Sequence, residues 1–210
     1  MSKPEHEDGA RMLGLDAAAH ESFVLFGESR KPTSRAVLDE RITVCTADPS
    51  WPSWFQQETA RLRSGLPGDL VPEIQHIGST AVPGLDAKPI VDLMVGIGEP
   101  GRIAEVVERL ERLGYESLGE AGVPGRWALR KRDAAQPSNI AIVAYEGEWW
   151  RLNLAVRDFL RANADAARNY ALAKWHAVSG GADMLLAYSD AKRAAIEMIV
   201  AEARARVAGA

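Results

Sequence analysis

The chain has 210 residues, 47% of them apolar and 26% charged, which is the composition of a globular protein rather than a disordered one. Its 25 basic and 29 acidic side chains leave a net charge of −4, which argues against a general duplex-DNA binder and makes nucleic acid an unexpected partner. The single cysteine, Cys45, excludes an internal disulfide and a cysteine-based metal cluster, and no apolar run approaches the ~18 residues of a membrane span. The N-terminal stretch MSKPEHEDGARMLG lacks an apolar signal core, so the expected location is the cytoplasm, with no membrane partner.

Residues 1–40 are expected to form an N-terminal extension or linker; within them LDAAAHESFVLF has the pattern of a short helix. The main domain is expected over residues 41–210. Ile42, Val44 and Thr46 alternate with polar neighbours, a strand pattern. Asp48-Pro49-Ser50 then marks a helix start, and Trp51, Phe55, Thr59 and Leu62 follow at helical spacing up to Gly65. Residues 73–77 read as a short strand, residues 78–84 as a tight loop or helix entry, and residues 89–97 as an apolar strand interrupted by Asp92. Ile103, Val106, Val107, Leu110 and Leu113 define an amphipathic helix that Gly114 ends. Residues 125–132 and 138–145 read as two strands joined by a hairpin turn at Asp133 to Pro137. Residues 151–163 read as strand passing into helix, and residues 165–178 and 189–207 as Ala-rich helices. The expected fold class is α+β: a small mixed β-sheet with flanking helices.

The most informative stretch is HIGSTAVPGLDAKPIVDLMV, from His76 to Val95. Gly78 permits close backbone approach to a ligand. Ser79 and Thr80 offer hydroxyls and N–H groups suited to an anion, and Lys88 adds a positive charge. Asp92 is a lone carboxylate in an apolar strand, and a buried acid needs a partner. Two readings stay open at this point. Either these residues hold a phosphate, or Ser79 and Thr80 cap a helix while Asp92 pairs with an arginine. His76, whose ordinary pKa is near neutrality, is a candidate general base or a buried, backbone-bonded histidine.

On a strand, Arg126, Ala128, Arg130 and Arg132 share one face. Arg157 and Arg161 share a face if helical. The guanidinium fork suits phosphate and carboxylate, though Arg130 and Arg132 read first as charges solvating an edge strand. Asp158 either orients Arg157 or caps a helix. Trp51, Trp54 and Trp127 are expected to build core, and Trp149-Trp150 either stack on a substrate ring or pack inside. His6, His20 and His176 have no ligand spacing, and Cys45 reads as structural.

The string GSTAVPG within this stretch closely resembles the signature of the GrpB-like family. TADPSWPSWFQQETARL resembles that family's opening strand and Trp-rich helix, and RDFLR at 157–161 its Arg-Asp-aromatic-Leu-Arg element. Tyr170, Lys174, Tyr188 and Lys192 resemble its C-terminal Tyr/Lys helices. The likeness spans about residues 41–205 and leaves residues 1–40 outside. In fold the family resembles the nucleotidyltransferase superfamily, which implies a nucleotidyltransferase-like core: a Gly-Ser pair at a helix start, then two acids at i and i+2 of the next strand to hold Mg²⁺.

The resemblance implies Gly78, Ser79, Thr80, Lys88, Arg126, Arg157 and Arg161 as phosphate-binding residues. It implies Asp92 as the metal ligand for Mg²⁺ or as a base, with His76 beside it as a catalytic residue. The pattern is incomplete here. The second acid position holds Met94, the later strand offers Asn139 and Ala141, and Asn153 replaces a usual His. The expected function is therefore a nucleotidyltransferase-like protein binding a nucleotide or phosphorylated small molecule. The alternative is a non-catalytic ligand-binding or interaction module linked to coenzyme A metabolism. The sequence leaves substrate, reaction and oligomeric state open.

Overall fold

Asp48 Oδ1 accepts the backbone N–H of Ser50 at 2.7 Å, an Asx-type turn that sends the chain into helix α1 (Trp51–Gly65), with Pro52 in its first turn. From there the computed structural model, which describes residues 39–120, 125–132 and 135–208, builds strand β1 (Glu73–Ile77), a 3₁₀ turn (Ser79–Ala81) and strand β2 (Val91–Ile97). Helix α2 (Ile103–Arg112), strand β3 (Glu116–Gly119), strand β4 (Trp127–Lys131) and strand β5 (Ser138–Ala144) follow. Helices α3 (Glu148–Ala162), α4 (Ala164–Ser179), α5 (Leu185–Ala191) and α6 (Arg193–Ala208) complete the described chain. The strands form one mixed sheet in the order β1-β2-β5-β4-β3. Only β2 and β5 run parallel, and the other three pairs are antiparallel. The α+β expectation with a small mixed sheet holds.

The sheet separates two cores. On one face Val91, Leu93 and Val95 of β2 meet Ile140 and Ile142 of β5, with Trp51 and Leu62 of α1 and Val106 and Leu110 of α2 packed over them. On the other, Met94, Val143 and Ile77 meet Trp150 of α3. Both faces of β2 are therefore covered, which is why it reads as an unbroken apolar run. Gly96 belongs to the second face because a Cβ there would lie 2.7 Å from the Trp150 ring. Beyond α3, a helical cluster joins Val156, Phe159 and Leu160 to Tyr170, Ile196 and Ile199, and Val82 and Leu85 of the loop after the 3₁₀ turn insert into it. That insertion fixes the Gly-Ser turn against the C-terminal helices.

Three expectations need correction, and one strand was not foreseen. Residues 42–46 form no strand; isolated bridges pair Cys45 with Ala87 and, just before the stretch, Arg41 with Met184. Their alternation serves instead to bury Ile42 and Val44 against Leu185 and Tyr188. Residues 151–163 contain no strand, because Trp150, Leu152, Val156, Phe159 and Leu160 keep helical spacing through α3. The single C-terminal helix is broken at Lys192, so that Tyr188 packs under residues 42–44 while Ile196 packs on α3. The short, bulged edge strand β3 lacked a clear alternation. The proposed helix in residues 1–40 and part of the hairpin turn, residues 133–134, lie outside the described residues.

Candidate functional site

Asp92 sits at the start of β2, opposite Asn139 in the parallel register, and Asn139 Nδ2 donates to Asp92 Oδ1 at 2.7 Å. Asn139 Oδ1 in turn accepts from Arg132 at 2.7 Å, and Arg132 forms a forked ion pair with Glu40. A relay Asp92–Asn139–Arg132–Glu40 therefore crosses the end of the sheet. The other carboxylate oxygen, Oδ2, faces the backbone of Gly78. Gly78 has φ 71° and ψ −170°, a conformation essentially reserved for glycine. Burial pushes Asp92 up to about 6, against the pull of Asn139 and the cations Lys88, Arg132 and Lys192. Burial also pulls the Lys88 ammonium down to about 8, opposed by Asp92 and reinforced by Lys192 and Arg132.

The C-terminal helices add four residues that the sequence quoted only for their family likeness, one of them, Lys192, at the break between two helices. Tyr170 and Lys174 lie one turn apart on α4, and Tyr188 on α5 precedes Lys192 by the same spacing. They interleave. Lys174 Nζ lies 4.3 Å from the centre of the Tyr170 ring, and Lys192 lies 5.8 Å from Tyr170 and 5.3 Å from Tyr188. Lys88 closes the row 6.0 Å from Tyr188. Lys174, only 1% exposed, donates to Ser79 Oγ at 2.9 Å and to the Asp86 carbonyl at 2.5 Å. Burial, with Lys192 second, holds its ammonium well below the ordinary lysine range. The i,i+4 spacing of both Tyr–Lys pairs is the sequence signal that could have found this cluster.

The structure brings Gly78, Ser79, Lys88 and Asp92 together. It does not bring His76 to them. His76 pairs with Leu93 in the β1–β2 register, so its side chain lies on the opposite face, stacked 4.7 Å from the Phe55 ring. Its Nε2 meets Thr80 Oγ1 at 3.0 Å, and burial together with Arg161 and Arg157 holds the imidazole down to about 4. That is a buried neutral histidine, and Thr80 is spent on it.

Arg157 donates to Gln75 Oε1 at 2.7 Å and to the His76 carbonyl at 3.2 Å, and Asp158 orients it from within α3. Arg161 donates to the Ala81 carbonyl at 2.8 and 2.9 Å. Both arginines thus tie α3 to β1 and to the Gly-Ser turn. Arg126 is buried at the entry to β4, where burial pulls its guanidinium down to about 10. Trp150 is buried on Gly96 and edge-on to Tyr145, which makes it core. Cys45 donates weakly to the Ala87 carbonyl at 3.4 Å and is structural.

These residues do not fit a resident Mg²⁺. The ion needs hard oxygen ligands, yet one oxygen of Asp92 takes an amide N–H, and the next positions on that face, Met94 opposite Ala141, offer none. Among the described residues no group of three or more His, Cys, Asp or Glu is placed to hold a metal. What surrounds Asp92 is cationic.

Residues 41–202 match the family described as GrpB protein. The chain is 30% identical over 134 residues to the glutamate-rich protein GrpB of Alkalihalophilus pseudofirmus, covering 61% of this chain and 76% of that one. It is 32% identical over 167 residues to a UPF0157 protein of Halalkalibacterium halodurans, covering 78% and 83% of the two chains. The crystal structure of the conserved protein GrpB from Enterococcus faecalis superposes with a TM-score of 0.72 at 32% identity, over 79% of this chain and 99% of that one. With the Gly-Ser turn, the buried acid and the Tyr/Lys helices in place, the chain belongs to the GrpB family.

Proposed function

We propose that this GrpB-family chain binds a phosphorylated small molecule or nucleotide, in the cytoplasm, at the cationic end of the sheet. One observation carries the reading: Lys88, Lys192 and Arg132 act on Asp92 while Glu40 pairs with Arg132, so three cations face two carboxylates and positive charge exceeds negative in a partly buried site. Tyr170 and Tyr188 keep Lys192 in place through their ring faces. An arriving phosphate offsets the repulsion among these cations, which is the physical drive for binding. Among the described residues no helix is long and apolar enough to cross a membrane.

Of the nucleotidyltransferase-like expectation, this reading keeps binding and leaves out transfer. Two-metal transfer requires a second carboxylate near Asp92, and Met94, Asn139 and Ala141 occupy the nearest positions of that face. This favours a ligand-binding module over a metal-dependent transferase.

The test is thermal denaturation against ATP, GTP, CTP, UTP, coenzyme A, dephospho-coenzyme A and inorganic phosphate, each with and without Mg²⁺. A ligand at 100 times its Kd stabilises by about 2.7 kcal/mol, roughly 5–10 °C for a chain of this size. The reading requires a shift for at least one phosphate compound without Mg²⁺. A flat response across the panel overturns it, and a shift that depends on Mg²⁺ restores the transferase reading.

A further inference from the structure

Ser79 is partly exposed and lines a small cavity together with Gly78, Asn153, Arg157 and Tyr170. Behind it lies the buried amine of Lys174, 2.9 Å from its Oγ. The amine donates to two neutral partners, a hydroxyl and the Asp86 carbonyl. The Asp86 carboxylate itself is engaged elsewhere, accepting from the Ala47 N–H at 3.0 Å and from the Trp175 indole at 2.8 Å. The amine donates to Oγ at 2.9 Å, and a lysine that burial disfavours as an ammonium can, once neutral, accept the proton of that same hydroxyl without moving. We propose that Ser79 and Lys174 form a serine–lysine nucleophile pair, with Ser79 Oγ attacking an electrophilic phosphoryl centre delivered through the cavity and Lys174 Nζ taking its proton.

In that step the Oγ–H proton passes to Nζ and an Oγ–P bond forms. The bond from phosphorus to the leaving oxygen of a phosphate ester or anhydride breaks, and its electron pair departs with that oxygen. The ammonium so formed sits 4.3 Å from the centre of the Tyr170 ring, whose π face stabilises it. Lys174 is held below its ordinary range before the step by burial and by Lys192 and Lys88, with Asp86 and Asp92 opposing. The choice of phosphorus rests on the anion reading above. The reactivity of Ser79 does not, so the two fail separately.

The experiment is labelling of the native chain with an alkyl fluorophosphonate, read by intact mass and peptide mapping. There Oγ–P forms and fluoride leaves. The expected result is one adduct per chain, at Ser79, with a rate that rises with pH along the deprotonation of a single group below the ordinary lysine range. Ser79→Ala, which removes only a hydroxyl, abolishes the adduct. Lys174→Met keeps the buried stem and cuts the rate at least about 100-fold, the contribution of a positioned general base. No adduct on the folded native chain overturns the proposal, and so does an adduct elsewhere. Equal rates in native and Lys174→Met protein overturn it too. If Lys174→Met does not fold, the native pH profile and Ser79→Ala decide alone. Thermal shifts with phosphate compounds, run in parallel, report on the binding reading independently.

Discussion

The Asp92 carboxylate lies against the backbone of Gly78 so closely that a Cβ at position 78 would collide with Oδ2 and lie 3.1 Å from the Asp92 Cβ. Gly78 is held at φ 71° and ψ −170°, where any side chain costs about 1–3 kcal/mol before the collision is counted. Gly78→Ala is therefore expected to destabilise by more than 2 kcal/mol on the order of magnitude of such strain and overpacking. Part of that loss belongs to the pair. In an Asp92→Ala background the oxygen is gone while the 3.1 Å contact with the Cβ at position 92 and the backbone strain remain, so Gly78→Ala should cost less there. Denaturant midpoints of the four chains measure the coupling, and additive losses would show that Asp92 is not what the glycine accommodates.

How much of this was legible in sequence follows from what each signal depends on. Gly78, Ser79, Lys88 and Asp92 were readable because they lie within fifteen residues of one another and one turn brings them together. The i,i+4 spacing marks the two Tyr–Lys pairs, but their meeting depends on the packing of α4 on residues 82–86 and of α5 under residues 42–44, a long-range relation that the spacing does not encode. Arg132 and Glu40 meet across 92 positions for the same reason. His76 shows the opposite failure. Its neighbours in sequence bind the site, but the two-residue period of β1 turns its ring to the far face. Residues 42–46 carried a strand's alternation, yet two buried positions against α4 and α5 produce the same pattern without a ladder.

Acid stability should reveal His76 and Asp92 as opposed groups. Burial holds His76 down to about 4, so its neutral form stabilises the fold above the unfolded value of 6.5, and that contribution is lost as pH falls toward 4. Asp92 is raised to about 6 from 3.8, so its protonated form favours the fold at low pH, and that contribution is lost as pH rises through 6. Shifts of this size correspond to about 3 kcal/mol each. Between pH 6.5 and 4.5 the two slopes nearly cancel in the native chain. His76→Gln should therefore gain stability on acidification over that window, while Asp92→Asn should lose it. Midpoints of urea unfolding at half-unit intervals check the signs, and parallel slopes in both variants would contradict them. Glu58, held at about 2 by Arg61, Tyr115 and Lys131 despite its burial, adds its own loss only below about 4.5.

Arg161 and Lys192 are both cations near the Gly-Ser turn, and their partners assign them different work. Arg161 spends its guanidinium on the Ala81 carbonyl at 2.8 Å, holding the 3₁₀ turn to α3. Lys192 donates to the Tyr170 hydroxyl at a long 3.3 Å and otherwise faces aromatic rings and the field of Asp92. Arg161→Met should lower stability by about 1–2 kcal/mol, the worth of a charged donor on a carbonyl at a partly exposed site, and change phosphate affinity less than about threefold. Lys192→Met should do the reverse. It relieves repulsion on Lys174 and Lys88, so stability holds or rises, while affinity for a phosphate compound falls about tenfold or more with loss of one close charge pair. Calorimetric titration with whichever phosphate compound shifts the melting curve, beside unfolding midpoints of both variants, separates the two roles. If Arg161→Met instead abolishes binding at unchanged stability, the guanidinium faces the ligand and the division of labour drawn from its carbonyl bond is wrong.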